Sequence, residues 1–454
     1  MKYDVIIAGA GIAGSACALK ISQAGFTTAL LDLKSLSDIG GNWSVSFVKS
    51  ALSYLGLKIP DAKTIIEQAD ETVFYAGDLS VSLCIKNLNP HMITLKHAEL
   101  NRYLLKNALE RGVIFFPECE AVKPVLENNR CIGLAAEKKN LFLKSSLRLH
   151  AKIIIDCTGT AGVLRKNLPP ETGIETGIEL KHYASAWEET WSIKPGGPWN
   201  LINNQQARPG VCYTRLGKYH GFSSYFLRHT GEFRIIYGAG ADDNAFTRCR
   251  NFTDRTAGLA KRLASGGNII PIRRSLDQLC TNGFLAVGNA ACQVIPTMGS
   301  GVEASLQAAA IASSSVIGAL NNHDFSTAGL WTYSAKYQKK LGAILASYDI
   351  VRLYLQKLSM EDFDQVLKSG LINSRDFAGT YSTSDITRNL AQIIEKIRKA
   401  LSSPKIIPML LRLEKALYAS QRVLDHYRTY PELYNASKLE SWKKRTEKFF
   451  NASY

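Results

Sequence analysis

The sequence predicts an α/β protein with a parallel sheet, an antiparallel-sheet domain and a helical C-terminal region. Three observations lead there. Residues 3–8 (YDVIIA) form a short β-rich apolar run, the glycine turn GAGIAG follows, and SACALKISQAG reads as a helix ending at Gly25 before the strand TTALLD. Strand, helix and strand thus follow one another at the spacing of a Rossmann-type unit. The same style returns from 283 in GFLAVGNAACQVIPTMGSGVEASLQAAAIASSSVIGAL, a strand, a turn, a loop and a long small-residue helix. From about 325 onward, Leu, Lys, Tyr and Ala recur with helical periodicity.

The elements between follow in order. HAELNRYLLKNALER (97–111) predicts a helix stopping at Gly112; VIFFPECEAVKPV, CIGLAAE and LFLKSSLRL predict short strands, and KIIIDCTG a separate buried one ending at Gly159. Residues 170–270 are irregular, rich in Gly, Pro, Asn and aromatics, with strand-like runs such as FRIIYGAG. The helical end is broken around GTYSTSD and at Pro404 and Pro431. With 454 residues, the chain has room for two or three domains of about 100–200 residues each. The expected division is a discontinuous dinucleotide domain over 1–165 and 270–325, with part of 45–100 joining a substrate domain at 166–269, and a helical region over 326–454.

Composition narrows the function classes. With 46% hydrophobic and 21% charged residues the chain reads as globular, and no apolar run reaches the length of a membrane span. The strand beginning at Tyr3 leaves no space for a signal peptide, so a cytoplasmic protein is expected. Nine cysteines occur without CxxC pairs or a zinc-like Cys/His grouping, so neither a disulfide framework nor a metal site is expected. The formal net charge of +16 favours anionic partners or simple solubility. KLESWKKRTEKFF spaces Trp442, Phe449 and Phe450 among Lys and Arg, which fits either a helix at a membrane surface or one packed on its own domain. No nucleic acid partner is expected.

Within GAGIAG, which includes Ala10 and Ala13, Gly9 permits the tight turn, Gly11 lets the backbone approach a pyrophosphate, and Gly14 lets helix and strand pack closely. Asp32 closes the second strand, where its carboxylate can bind a ribose hydroxyl. NAD or FAD would suit this turn alone. The order of two further turns argues for FAD: Gly159, and the stretch in which Gly288 and Asn289 precede Pro296, Gly299, Ser300, Gly301 and Val302. A helix N-terminus at that last loop can stabilise negative charge on reduced flavin. Ser300 and Glu303 match a capping box, which makes Glu303 a cap rather than a catalytic acid.

GAGIAG, KNLPPE, PIRR followed by NGFLAVGNAA, and SYDIVRLYLQKLS together resemble the geranylgeranyl reductase family, in particular archaeal enzymes that saturate isoprenoid chains of membrane lipids. The resemblance runs over nearly the whole chain. It implies FAD, a fold of the aromatic-hydroxylase, glutathione-reductase-like class, and hydride transfer from reduced flavin to an alkene carbon while a proton reaches its neighbour. Family members carry a cysteine followed by Gly-Asp where this chain has Gly40, Gly41, Asn42 and Trp43. Their Tyr-x-Trp-x-Phe-Pro motif corresponds to Phe222, Ser223, Ser224, Tyr225, Phe226 and Leu227, their Gly-Asp to Gly288 and Asn289, and a flavin-contacting Arg to His97.

Carried over by position, the resemblance implies Tyr225, Phe222, Ser224, Phe226 and Asn42 as catalytic candidates, with Tyr225 as proton donor or substrate-orienting group or as a structural tyrosine. It adds Leu33, Gly41, His97 and Val122 to the cofactor contacts. Trp43 covers the flavin or fills a core; His220 and His229 flank the substrate segment; Arg273 and Arg274 meet a pyrophosphate or lipid head, or solvent. The implied partners are a polyprenyl lipid or other isoprenoid substrate, an external electron donor (ferredoxin-like or an NAD(P)H system), and peripherally the cytoplasmic membrane surface. A flavin-dependent monooxygenase on an apolar substrate and a paralogue that binds flavin or isoprenoid without turnover are the competing readings.

Overall fold

Residues 2–75, 82–86, 91–139, 144–194, 200–202, 205–216, 221–256, 258–369 and 407–451 are described in a computed structural model of the chain. The first strand, β1 (Lys2–Ala8), pairs in parallel on both sides, with β2 (Thr28–Leu31) and with β11 (Lys144–Asp156). Val5, Ile6, Ile7, Ile153, Ile154 and Ile155 have no solvent exposure. Their uninterrupted apolar runs are what a strand covered on both faces requires. Helix α1 (Ile12–Gln23) covers this sheet and packs on the long helix α5 (Val302–Asn321) and on α2 (His97–Leu109). The sheet continues through β8 (Ile114–Phe116) at one edge and β20 (Phe284–Ala286) and β19 (Cys280–Thr281) at the other.

The segments LFLKSSLRL and KIIID do not make two strands. Within the described residues, β11 is one strand whose first half pairs antiparallel with β10 (Arg130–Lys139), itself paired with β9 (Cys119–Glu127), while its second half joins β1. No turn residue separates the halves, so the strand simply continues. A small sheet, β3 (Ser44–Val48), β7 (Met92–Lys96) and β4 (Ile65–Ile66), packs against α5.

Residues 170–270, irregular by composition, hold long regular strands. β12 (Tyr183–Ile193), β15 (Val211–Leu216), β16 (Phe222–Leu227), β17 (Glu232–Gly240) and β18 (Leu259–Pro271) build a seven-stranded sheet in the order β18-β12-β17-β16-β15-β5-β6. Its last two strands, β5 (Glu71–Tyr75) and β6 (Ser82–Lys86), come from the N-terminal third, and β5 enters parallel to β15. A two-stranded piece, β13 (Asn200–Ile202) with β14 (Gln205–Gln206), stands apart. Helix α3 (Val163–Lys166) follows the Gly159 turn, and α4 (Ala245–Thr253) lies on one face of the large sheet, packed on β12 and β17.

Helices α6 (Thr327–Tyr337), α7 (Ala343–Leu355), α8 (Met360–Lys368), α9 (Ile407–Arg428) and α10 (Ala436–Asn451) complete the described chain. A five-residue π turn at Gln338–Gly342 joins α6 to α7. The segment around GTYSTSD and Pro404 lies outside the described residues. In α10 the aromatic side chains face inward: Trp442 is 1% exposed and stacks on His426 of α9. That packing occupies the apolar face that would have met a membrane.

Arg273 and Arg274 are not solvated charges. Both are buried, Arg273 pairing with Glu175 at 3.0 Å and Arg274 with Asp277, while Asp349 of α7 accepts the Arg274 backbone N–H at 2.8 Å. Burial alone would raise the Glu175 carboxyl, but the two guanidinium groups hold it at about 2. The Phe450 ring caps Arg274 at 4.8 Å, and the Tyr430 hydroxyl donates to the Asp277 carbonyl, so the cluster ties α7, α10 and the turn after α9 to the loop before β19. Arg274→Met leaves the Asp277 carboxylate buried without its partner. Denaturant unfolding should show a loss of about 3–5 kcal/mol, the usual cost of breaking a buried pair from one side.

Candidate active site

The turn after β1 is built on two contacts that only glycine allows. A Cβ on Gly9, whose φ is +98°, would stand 2.3 Å from the Cys157 carbonyl oxygen, and one on Gly14 would stand 1.8 Å from the Gly9 oxygen. Strand β11, the turn and α1 are therefore pressed together as closely as backbones can be. Gly11 differs: among the described residues a Cβ there meets nothing within 4 Å, and Gly11 is the N-cap of α1, with no side-chain cap. Open space thus faces the unpaired N–H groups of a helix N-terminus. Asp32 braces the turn, its Oδ2 accepting the Ala10 N–H at 2.8 Å and its Oδ1 the Lys34 N–H at 2.9 Å. Each carboxylate oxygen keeps capacity for a further donor such as a ribose hydroxyl.

The other two turns arrive at the same place. A Cβ on Gly288, at φ +71°, would stand 2.8 Å from Ala13 Cβ, and the Gly288 N–H donates to Gln293 Oε1 at 2.6 Å. Thr160, beside Gly159 at φ +68°, donates its hydroxyl to the Ile269 carbonyl at 2.6 Å and lies 3.5 Å from Asn289 Nδ2. Asn289 Oδ1 lies 3.2 Å from where a Gly301 Cβ would stand. Pro296 is buried, and Ile295 and Ser300 bridge the base of the loop, with Gly299 3.6 Å from Ile270 of β18 by its absent Cβ.

The capping box at this loop does not form. Gly301 is the N-cap of α5, Val302 starts the helix, and among the described residues no side chain caps it. Glu303 Oε1 instead accepts from Gln307 Nε2, one turn on, at 3.1 Å. The first N–H groups of α5 therefore face the junction of the three turns, as those of α1 do.

A fourth segment closes the junction. The Gly40–Ser44 loop covers the start of α2: the Gly41 and Trp43 carbonyls accept the Ala98 and His97 N–H groups at 3.1 and 2.8 Å, and the Trp43 ring stacks on His97 at 4.5 Å. Burial, with Lys34 nearby, lowers the His97 imidazole to about 4, so it is neutral at physiological pH. Asn42 is exposed, its backbone packed beside Gly266 of β18. Leu33 is exposed just beyond Asp32, and Val122 is at the surface of β9.

The large sheet turns one face to this junction. Residues paired directly across neighbouring strands share a face, and Gly266, Glu188, Ile236, Ser224 and Thr214 form one such row. Glu188 marks its direction, because it reaches Ser44. Phe226 pairs with Arg234, and the Phe222 ring lies over Gly238, so Phe222, Ser224 and Phe226 all face the junction. Tyr225 does not. It points to the opposite face, packs on Phe252 of α4 at 4.6 Å, and shares a 2.7 Å hydrogen bond with Tyr237. Strand alternation puts its side chain on the face opposite Glu188 and Ser224, the placement of the structural-tyrosine alternative. His229 sits at the surface against Glu67 at 2.7 Å, and His220 lies outside the described residues. Sequence reasoning missed Glu188, Arg234, Thr214 and Gln293; the alternation in WEETW is the signal that would have placed Glu188 and Glu189 on opposite faces.

Uncapped helix starts, a braced glycine turn and open space at Gly11 fit the phosphates of a dinucleotide. Residues 4–229 match the family model described as FAD dependent oxidoreductase. A geranylgeranyl bacteriochlorophyll reductase-like protein from Thermoplasma acidophilum has the same fold, at TM-score 0.72 and 16% identity over 91% of this chain and 99% of that one. A flavin-dependent brominase shares it at TM-score 0.60 and 14% identity, over 88% of this chain and 100% of its own. The protein is an FAD-dependent oxidoreductase.

Its curated relatives are narrower in kind. The digeranylgeranylglycerophospholipid reductase of Sulfolobus acidocaldarius is 26% identical over 98% of this chain and 97% of its own length. The like-named protein 3 of Methanosphaera stadtmanae is 24% identical over 89% of this chain and 99% of its own. The chain is a homologue of these reductases over most of its length.

Two consequences can be measured. Gly11→Ala should fold with near-normal stability yet bind FAD about tenfold or more weakly, since its methyl enters the phosphate space, whereas Gly14→Ala should lose stability first; FAD titration and thermal melts separate them. His97, His182 and His426 are each lowered to about 4 from 6.5, chiefly by burial. The unfolded chain therefore binds protons that the folded one refuses, so their contribution is complete above pH 6.5 and is lost as pH falls toward 4. Unfolding midpoints measured across that window should fall with acidification.

Proposed function

We propose that the protein reduces carbon–carbon double bonds in a geranylgeranyl or other polyprenyl chain of a membrane-lipid or quinone precursor. The observation that carries this reading is the end-to-end similarity to reductases of that name, joined to a sheet face whose side chains suit an apolar chain. FAD, when bound and reduced, supplies a hydride. The protein's part is to hold the alkene and exclude water, because an unactivated double bond is a poor hydride acceptor.

Phe74, Phe222 and Ile236, with Phe226 buried beside them, share the face toward the cofactor junction and offer an apolar wall along which an isoprenoid can lie. Thr214 Oγ1 and Ser224 Oγ, 2.8 Å apart in that wall, are hydroxyls placed to orient the chain or pass a proton. Electrons come from an external donor, either ferredoxin-like or an NAD(P)H system. The positive charge of the chain supports contact with anionic lipid headgroups; among the described residues no helix is long and apolar enough to cross a membrane.

The test is incubation of the dithionite-reduced, FAD-loaded protein with geranylgeranyl lipids, diphosphates and quinones, read by mass spectrometry. Products heavier by pairs of hydrogens support the reading; no turnover with any of them, or oxygen uptake dependent on substrate, overturns it. Within that assay Tyr225→Phe should stay within about twofold of wild type, because its hydroxyl meets Tyr237 on the opposite face, while Phe222→Ala should lose about tenfold in kcat/KM through lost apolar contact.

A further inference from the structure

The Gly40–Ser44 loop is held from both sides. Its carbonyls accept N–H groups at the start of α2, in the part of the fold that carries the glycine turns. Its last residue is gripped by the substrate sheet: Glu188 of β12 accepts the Ser44 hydroxyl on Oε2 at 2.6 Å and the Ser44 N–H on Oε1 at 3.2 Å. Arg234 of β17 stands behind, its Nε 3.3 Å from Glu188 Oε2. Glu188 is 7% exposed. Burying a carboxylate is costly, and a well-packed apolar pair serves stability as well or better. An apolar pair cannot grip one residue's backbone and side chain together.

The grip lies between the substrate sheet and the start of α2. On one side of the loop are Gly266 and the row leading to Ser224; on the other are His97 and the uncapped start of α5, which packs on β3. We propose that Glu188, with Ser44 and Arg234, is a positioning residue that clamps the Gly40–Ser44 loop shut over the reactive edge of the cofactor and keeps dioxygen and water from it. The clamp thereby fixes whether reduced flavin surrenders its electrons to a bound apolar chain or to dioxygen. The proposal rests on FAD binding at the converging turns, not on an isoprenoid being the substrate.

The test uses FAD-loaded wild type, Glu188→Gln and Ser44→Ala, photoreduced without any lipid and mixed with dissolved oxygen. Reoxidation moves two electrons and two protons from the reduced flavin to dioxygen, giving hydrogen peroxide. Both variants should bind FAD stoichiometrically and reoxidise about tenfold faster, the factor expected when one hydrogen bond to a charged group is lost. The Ser44 amide, followed by hydrogen exchange in the FAD-free and loaded protein, should lose protection by a similar factor in Glu188→Gln. Should Glu188→Gln fail to fold, Ser44→Ala decides, since it deletes one hydroxyl only. Reoxidation within about twofold of wild type, with or without a change at the Ser44 amide, reduces the clamp to ordinary packing and overturns the proposal. Because no lipid enters either measurement, failure of the isoprenoid assignment leaves these results standing.

Discussion

The architecture depends on how closely three backbones meet beneath the first helix. The Gly9 carbonyl, the Cys157 carbonyl and the α-carbon of Gly14 leave no volume for even a methyl group, so β1, β11 and α1 are locked in relative position by contact alone. From that lock follow the direction of α1, the open space at Gly11 and the seat of Asp32 against Ala10. The second junction, Gly288 against Ala13, carries the same constraint to the start of α5. Two helix N-termini without side-chain caps then face one space. The backbone geometry thus supplies the site's positive helix ends, beside the charged side chains of Asp32, Glu188 and Arg234.

A different force holds the periphery. The Arg273, Arg274, Glu175, Asp277 and Asp349 cluster gathers the substrate-sheet connection, the loop before β19 and the C-terminal helices around buried charge. Such a cluster contributes little net stability but tolerates few alternative arrangements, because every misplacement strands an ion. Trp442, stacked on His426 and met edge-on by Tyr430, closes the layer from outside.

Legibility in the sequence tracked the range of the interaction. The glycine turn and Asp32 were readable because their geometry is fixed within a few residues, and the apolar runs of β1 and β11 announced a covered parallel sheet. The inner and outer faces of β16 were not readable from the aligned motif alone: a single step in parity separates Ser224, which faces the junction, from Tyr225, which meets Phe252. Arg273 looked like a surface or ligand-binding charge because its partner Glu175 lies 98 residues upstream, and Arg274, though paired with Asp277 only three residues on, looked the same because its burial is completed by α7 and α10. KLESWKKRTEKFF had a membrane-like pattern for the same reason, its apolar stripe being satisfied by α9. The Ser300–Glu303 pair obeyed a local rule, yet the chain placed its cap one residue later at Gly301, where a side chain would crowd Asn289 and Val294.

The route of β5 and β6 into the large sheet bears on how the chain acquires its shape during synthesis. This hairpin leaves the ribosome well over a hundred residues before β15, the strand that will accept β5 in parallel. Until then its edge has no mate, and parallel pairing across so long a loop is slow to form. The nascent N-terminal portion is consequently the interval most exposed to wrong partners and to chaperone capture, and a permuted gene in which 71–86 follows 205–271 would shorten it.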